Sequence, residues 1–369
     1  MGSAPLIDDV RVSAYSVPTK TPESDGTLEW SETTLVLIEI SASGKTGLGY
    51  SYADVATAHV IEHTLVPKIK GGNAFAIGEL WQKMGIAVRN LGRSGITAMA
   101  IAAVDNALWD LKAKLMDVSV ASLLGPVRQE VIAYGSGGFT SYSEKELLDQ
   151  LTGWVASGMR AVKMKIGRDP ASDLKRVESV RKAIGSQAEL FVDANGAYTR
   201  KQALFQAHQF AGMGVSWFEE PVSSDDLGGL RLIRDSGPPG MNIAAGEYGY
   251  NAWYFRRMLA AGAVDVLQAD ATRCGGISGF LQADALCEGH SLPLSAHTAP
   301  SVHAHVCCAA QRVIHTEYFF DHVRLEQMAF DGAIQAVGGM LRPNLSQPGF
   351  GLIWKQADMR CYQTYASQA

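Results

Sequence analysis

The stretches AVKMKIG at 161–167, FVDANGAYT at 191–199 and WFEEP at 217–221 decide how this chain is read. Each contains a short apolar run ending in ionisable residues: Lys163 and Lys165, then Asp193, then Glu219 and Glu220. Between the runs lie segments of helix length with apolar residues at helical spacing. Working outward, the same alternation predicts strands at 131–135, 161–166, 189–193, 215–219, 242–247, 264–270, 292–297 and 314–318. Their spacing is about 20–30 residues, the length of one strand–helix unit. Eight such units over 126–337 predict an α/β fold, a (β/α)8-type barrel of parallel strands. An open doubly wound sheet is the alternative, but its Gly-rich dinucleotide fingerprint does not follow the first strand.

The N-terminal part has a different pattern. Strand-like runs at 10–17, 33–40 and 46–52 precede helical patterns at 56–66, stopped by Pro67, at 76–88 and at 95–116. These define an α+β domain at 1–125. The polar segment PTKTPESDGTLEW, 18–30, reads as a long loop, a length usually either functional or disordered. From 338 to 369 the chain returns to strand and loop character and is expected to pack back on the first domain.

Bulk properties narrow the function. The chain has 369 residues, 47% of them hydrophobic and 19% charged, with a net charge of −5. That is enough for a large domain and a smaller one, and it carries no basic footprint for nucleic acid. The five cysteines, Cys274, Cys287, Cys307, Cys308 and Cys361, are odd in number and irregularly spaced, so a reducing cytoplasm is expected. The first residues show no secretory pattern, and Leu6 stands where a myristoylation motif needs Ser or Thr. The longest apolar stretch, 95–107, is interrupted by Asp105 and is too short for a bilayer. No membrane partner is expected.

In such barrels the chemistry sits at the C-terminal strand ends. Here the second to eighth strands end in Lys163 and Lys165, Asp193, Glu219, Glu247, Asp270, His297 and Glu317. One acid at a loop start is ordinarily a surface residue; an acid at each of three successive strands is not. Asp193, Glu219 and Glu247 supply hard oxygen ligands of the kind that suits Mg2+. Lys163 and Lys165, two apart, face the same way, and their mutual repulsion is expected to lower at least one pKa and yield a base. Asp270 is the natural partner to orient His297. His290, His303, His305, His315 and His322 have no comparable case and read as structural.

These residues resemble the enolase superfamily, specifically its mandelate racemase-like subgroup. The resemblance covers essentially the whole chain, including AIAAVDNALWDLKAK (100–114), AVKMKIG, FVDANGAYT, WFEEP, Gly246-Glu247, QAD (268–270), RCGGISG (273–279), AHT (296–298) and TEYF (316–319). It implies that the N-terminal domain caps the barrel, with the C-terminal segment completing it, and that Asp193, Glu219 and Glu247 bind the metal, Glu219 being chosen over Glu220 only by the family pattern, in which the first acid before the Pro is the ligand. It also implies that Lys165 and the Asp270–His297 dyad are acid/base catalysts on opposite faces of the substrate. Lys163 would neutralise the substrate carboxylate and Glu317 would hydrogen-bond it. The pairing of a Lys or His base with magnesium and an enediolate is a general property of that superfamily. Asp270 stands where the muconate lactonizing relatives carry lysine. Asn195 is a candidate substrate contact, as are Tyr50 and Tyr52 on the segment 49–53, which with 18–30 is expected to supply specificity loops.

The resemblance implies Mg2+-dependent removal of the proton next to a carboxylate, giving an enediolate. Within that chemistry the leading expectation is dehydration of an acid sugar to a 2-keto-3-deoxy acid. The alternatives are racemisation or epimerisation of a 2-hydroxy acid, and non-catalytic binding of a sugar acid on the same fold. A small carboxylate partner and a homo-oligomer are expected.

Overall fold

The computed structural model describes residues 4–367. Residues 1–3, where the stretch read for a leader begins, and 368–369, the end of the C-terminal segment, lie outside the described residues. Among the described residues no helix is long and apolar enough to cross a membrane. All five cysteines are free; Cys307 and Cys308 are buried in the helix Pro300–Ala309.

Strands β1 (Asp9–Ser24), β2 (Glu29–Ala42) and β3 (Lys45–Tyr52) form an antiparallel meander, and Gln363–Ala366 adds to the free edge of β1. Eight parallel strands follow, each separated from the next by helix. They are β4 (Val131–Gly137), β5 (Ala161–Lys165), β6 (Glu189–Asp193), β7 (Val215–Glu219), β8 (Asn242–Ala245), β9 (Val266–Ala269), β10 (Leu294–Ala296) and β11 (Val313–Phe319). Pairing of β11 with β4 closes the barrel. The expected (β/α)8 architecture is therefore present. Its interior is filled, not open: Phe191 stacks on Trp217 with ring centroids 5.2 Å apart, beside Tyr134, Ala244 and Val266. Strands β8, β9 and β10 are shorter than their patterns, so Glu247, Asp270 and His297 lie just beyond their ladders.

The helix Ile96–Leu115 joins the two parts. It is buried on nearly all sides, between the sheet and the barrel, which explains its Ala-rich composition. Its polar residues satisfy neighbouring backbone. Asn106 accepts from the Ile277 N–H and Asp105 from the Ser278 N–H, serving the start of the helix Gly276–His290, whose N-cap Gly275 has no side chain. Asp110 accepts from Leu48 and Phe350 N–H groups. Close approach to β3 requires glycine: a Cβ at Gly49 would lie 2.1 Å from the Ala103 carbonyl oxygen.

Two expectations change. Pro67 does not end its helix. A π-helical turn, Ile61–Leu65, leads into Val66–Ile69, where Pro67 occupies a first-turn position at which a missing N–H is harmless. The 18–30 segment is not a long loop either: β1 and β2 run through most of it, leaving a tight tip at 25–28. Asp25 Oδ1 accepts the N–H groups of Thr27 and Leu28, each at 2.7 Å, and fixes that tip. The tip rests on the barrel: a Cβ at Gly26 would lie 2.3 Å from the Ala194 carbonyl oxygen. The C-terminal segment divides its pairing. Met340–Leu341 pairs with β4 of the barrel, and only Gln363–Ala366 joins the N-terminal sheet.

A buried carboxylate also links the two parts. Glu326 accepts from Tyr50 Oη at 2.6 Å and from Ser301 N–H and Oγ at 3.0 and 2.5 Å. Burial, partly offset by the Ser301 and Tyr50 hydrogen bonds, raises its pKa to about 7. A raised acid pKa favours the folded state below the unfolded value, and that contribution is lost as pH rises through about 7. Glu326→Gln should therefore gain roughly 1–3 kcal/mol over wild type at pH 8 relative to pH 5, measured by calorimetric melting. Gly49→Val should lose about 1–3 kcal/mol, seen as a lower Tm at any pH.

Candidate active site

A cavity of about 440 Å³ opens where the C-terminal ends of the barrel strands meet the β1–β2 hairpin and the end of β3. Lys165, Asn195, Glu247, His297 and Glu317 line the barrel side; Trp30, Glu32, Thr34, Tyr52 and Asp54 line the other. Position follows from strand periodicity. Lys163 and Lys165 are two apart on β5, so both point inward, one residue layer apart.

The deeper lysine, Lys163, is fully buried among acids. Its ammonium is 2.6 Å from Glu219 Oε1, 2.8 Å from Glu317 Oε1 and 3.5 Å from Asp193 Oδ2. Lys165 donates to Asp193 Oδ2 at 2.5 Å. Both lysines are held above the ordinary lysine range, the opposite direction from the one expected of their mutual repulsion. Burial lowers each, and Lys163 does lower Lys165, but Glu219 and Glu317 around Lys163 and Asp193 beside Lys165 outweigh those effects. The acids respond unequally. Burial and Asp193 push Glu219 up to about 8 against the pull of Lys163. Burial also opposes ionisation of Glu317, yet Lys163 and His297 bring it down to about 2.

On the other side of the cavity His297 and Asp270 form the expected pair. His297 Nδ1 donates to Asp270 Oδ2 at 2.9 Å, while Nε2 lies 3.2 Å from Glu247 Oε2 and 3.6 Å from Glu317 Oε2. Asp270 is itself fixed by Thr272, whose N–H and hydroxyl donate at 2.6 and 2.7 Å. Burial works against the imidazolium, but Glu247 and Glu317, with the Asp270 hydrogen bond, raise His297 to about 9. His303 is structural in a useful place: its Nδ1 donates to the Thr298 carbonyl at 2.6 Å and its Nε2 accepts from Ala271 N–H at 2.9 Å, tying the loops after β9 and β10.

Ligand oxygens of Asp193, Glu219 and Glu247 lie within 4.8 Å of one another, and all three residues are buried. Glu220 adds another buried acid there. Its Oε1 has no hydrogen-bond partner, and burial followed by Glu247 and Asp193 raises its pKa well above the carboxylate range. Such a concentration of carboxylate is what an additional cation would relieve, so the all-oxygen donor set fits a divalent ion such as Mg2+.

The remaining residues fall on both sides of the expectations. Asn195 lines the cavity, at φ 44°, with its N–H on Asp193 Oδ1. Tyr52 lines it too, stacked on His322 with centroids 3.4 Å apart. His322 is therefore a cavity residue and not merely structural. Tyr50 is not: its ring is buried against Phe330 and its hydroxyl is committed to Glu326. Residues with no assigned role in the sequence also enter. Arg273 donates to the Glu247 carbonyl at 3.2 Å, Ser136 donates to Glu317 at 2.5 Å, and Glu32 lines the far wall beside Trp30, the last residue of the 18–30 segment expected to supply specificity. Arg273 lies only three residues beyond Asp270, a local signal; Glu32 and Asp54, outside the two expected capping segments, have none, because domain docking brings them here.

Glu219→Gln should weaken Mg2+ binding at least about tenfold. In wild type, millimolar Mg2+ should raise the melting temperature and titrate calorimetrically; in the variant both signals should shift to higher concentration.

Residues 9–125 match the N-terminal domain model of mandelate racemase/muconate lactonizing enzyme, and residues 146–358 match the enolase C-terminal domain-like model. The chain is 32% identical to the 3,6-anhydro-alpha-L-galactonate cycloisomerase of Streptomyces coelicolor, over 94% of this chain and 97% of that one. It is 32% identical to the L-talarate/galactarate dehydratase of Salmonella typhimurium, over 82% and 79% of the two chains. The structure of that dehydratase liganded with Mg and L-lyxarohydroxamate superposes with a TM-score of 0.90 at 27% identity, covering 99% of this chain and 94% of that one. A mandelate racemase/muconate lactonizing enzyme-like protein from Rubrobacter xylanophilus superposes with a TM-score of 0.96 at 51% identity, covering 98% and 100%. The chain belongs to the mandelate racemase/muconate lactonizing enzyme family of the enolase superfamily.

Proposed function

We propose that this protein is a Mg2+-dependent acid-sugar dehydratase. The observation that carries the reading is the placement of two acid/base groups, Lys165 from β5 and His297 after β10, around one buried acid triad. The two strands are three apart around the closed barrel, so the groups approach the cavity from different sides. Its relatives include sugar-acid dehydratases, which supports elimination, and cycloisomerases, which supports an isomerase outcome.

Magnesium held by Asp193, Glu219 and Glu247 would supply charge neutralisation at the substrate carboxylate, lowering the cost of removing the neighbouring proton. The chain's own groups do the rest. Lys163, buried and paired with Glu317, fixes positive charge beneath the carboxylate position. Lys165 is placed to take the C2 proton as the neutral amine, its own proton having passed to solvent once the Asp193 carboxylate that holds its ammonium is engaged elsewhere. His297, held by Asp270 with its charge sustained by neighbouring acids, is placed to protonate the departing C3 hydroxyl. Loss of water leaves an enol, which tautomerises to the 2-keto-3-deoxy acid. The two-sided arrangement equally supports C2 epimerisation, in which one group removes the proton and the other returns it.

Purified protein with Mg2+ and a panel of sugar acids should release 2-keto acid. Lys165→Ala and His297→Asn should each lower kcat by about a hundredfold or more with Mg2+ affinity retained. A C2 epimer appearing without keto acid would instead establish the isomerase. Unchanged turnover in both variants would remove these residues from the mechanism.

A further inference from the structure

The two ends of the cavity differ in the cations they hold. At the barrel end Lys165, Arg273 and His297 line the cavity, with Lys163 and the acid triad's Asp193 and Glu219 buried beside Lys165, and the reading above puts the reacting carboxylate there. The opposite wall comes from the capping sheet and presents Asp25, Glu32 and Asp54, with Thr33 and Thr34, whose hydroxyls bond Asp321 and Ser16. Two of those acids are occupied: Asp25 binds the N–H groups of its own turn, and Asp54 accepts from Ala56 N–H. Glu32 is exposed and has no hydrogen bond or ion pair among the described residues.

Neighbouring cations are committed. Arg168 pairs with Glu29 at 3.0 Å, and Arg324 with Asp321 at 2.6 Å. Lys20 lies over the Phe320 ring, 5.6 Å from its centroid, and is not a lining residue. Arg273 does line the cavity, but at the reaction end, 3.6 Å from Glu247 and 3.7 Å from Asp270. A second substrate carboxylate would therefore face Glu32 with no cation to receive it. Hydroxyl groups would fare differently, since they donate to a carboxylate.

We propose that the site selects monocarboxylic polyhydroxy acids (aldonates) over the dicarboxylic acids of matching configuration (aldarates), with Glu32 as the discriminating residue. This rests on the acid-sugar reading above. Specificity here is built by repulsion of the wrong ligand as much as by attraction of the right one.

The test uses the full-length protein with Mg2+ and matched pairs, including galactonate with galactarate and gluconate with glucarate. Binding is followed by calorimetry and conversion by 2-keto acid release, in wild type, Glu32→Gln and Glu32→Arg. In wild type the aldonate should be favoured at least tenfold in Kd or kcat/KM. Glu32→Gln should narrow that ratio, and Glu32→Arg should move it at least tenfold toward the aldarate. An aldarate bound or converted as well as its aldonate, or a ratio unmoved by Glu32→Arg, overturns the proposal while leaving the dehydratase reading standing. Preferential aldonate binding with neither keto acid nor a C2 epimer formed supports the selectivity and overturns the catalytic reading.

Discussion

Burying carboxylates beside one another is the constraint around which this molecule is built. Asp193, Glu219, Glu220 and Glu247 come from three successive strand ends and sit out of water, where an uncompensated charge is costly. Lys163 and Lys165 compensate part of that charge, and His297 with Arg273 meets Glu247 from the other side. The barrel makes such an arrangement possible. Each strand brings its side chain to the same rim, while the packed layer of Tyr134, Phe191 and Trp217 closes the interior below. Trp217 also reaches up, donating to Glu219 Oε2 at 3.0 Å.

The capping part converts that rim into an enclosed site. The helix Ile96–Leu115 fixes its position by supplying caps to barrel backbone, and Tyr50 fastens it to Glu326. The hairpin tip then rests against the loop after β6, with Thr27 Oγ1 donating to the Asn195 carbonyl at 3.3 Å. One wall is thus set by the barrel and carries the reaction chemistry. The other is set by domain docking and carries Trp30, Glu32, Thr34, Tyr52 and Asp54.

That division explains what could be read in the sequence. Apolar runs ending in Lys163, Lys165, Asp193 and Glu219 are local patterns, so the strands and their terminal chemistry are legible in the order of residues alone. Asp270 and His297, in successive units, follow from the same logic, although Asp270 lies beyond its ladder. The charge state of the lysines is not legible there. Two lysines two apart suggest repulsion, but the acids that reverse it arrive from β6, β7 and β11. Likewise Tyr50 and Tyr52 alternate on β3, and only docking shows that one meets Glu326 and the other the cavity. The run 18–30 conceals strand because its Pro, Ser and Asp content is that of a loop, while cross-strand pairing with β2 extends it.

In the proposed reaction, proton removal at C2 depends on a divalent cation at the buried acids. That dependence is tested most directly by proton NMR of a bound sugar acid in heavy water, following loss of the C2 proton signal into solvent deuterium. Exchange is expected with Mg2+, none after chelation with EDTA, and recovery when Mg2+ is restored. Exchange that continues unchanged in EDTA would contradict it.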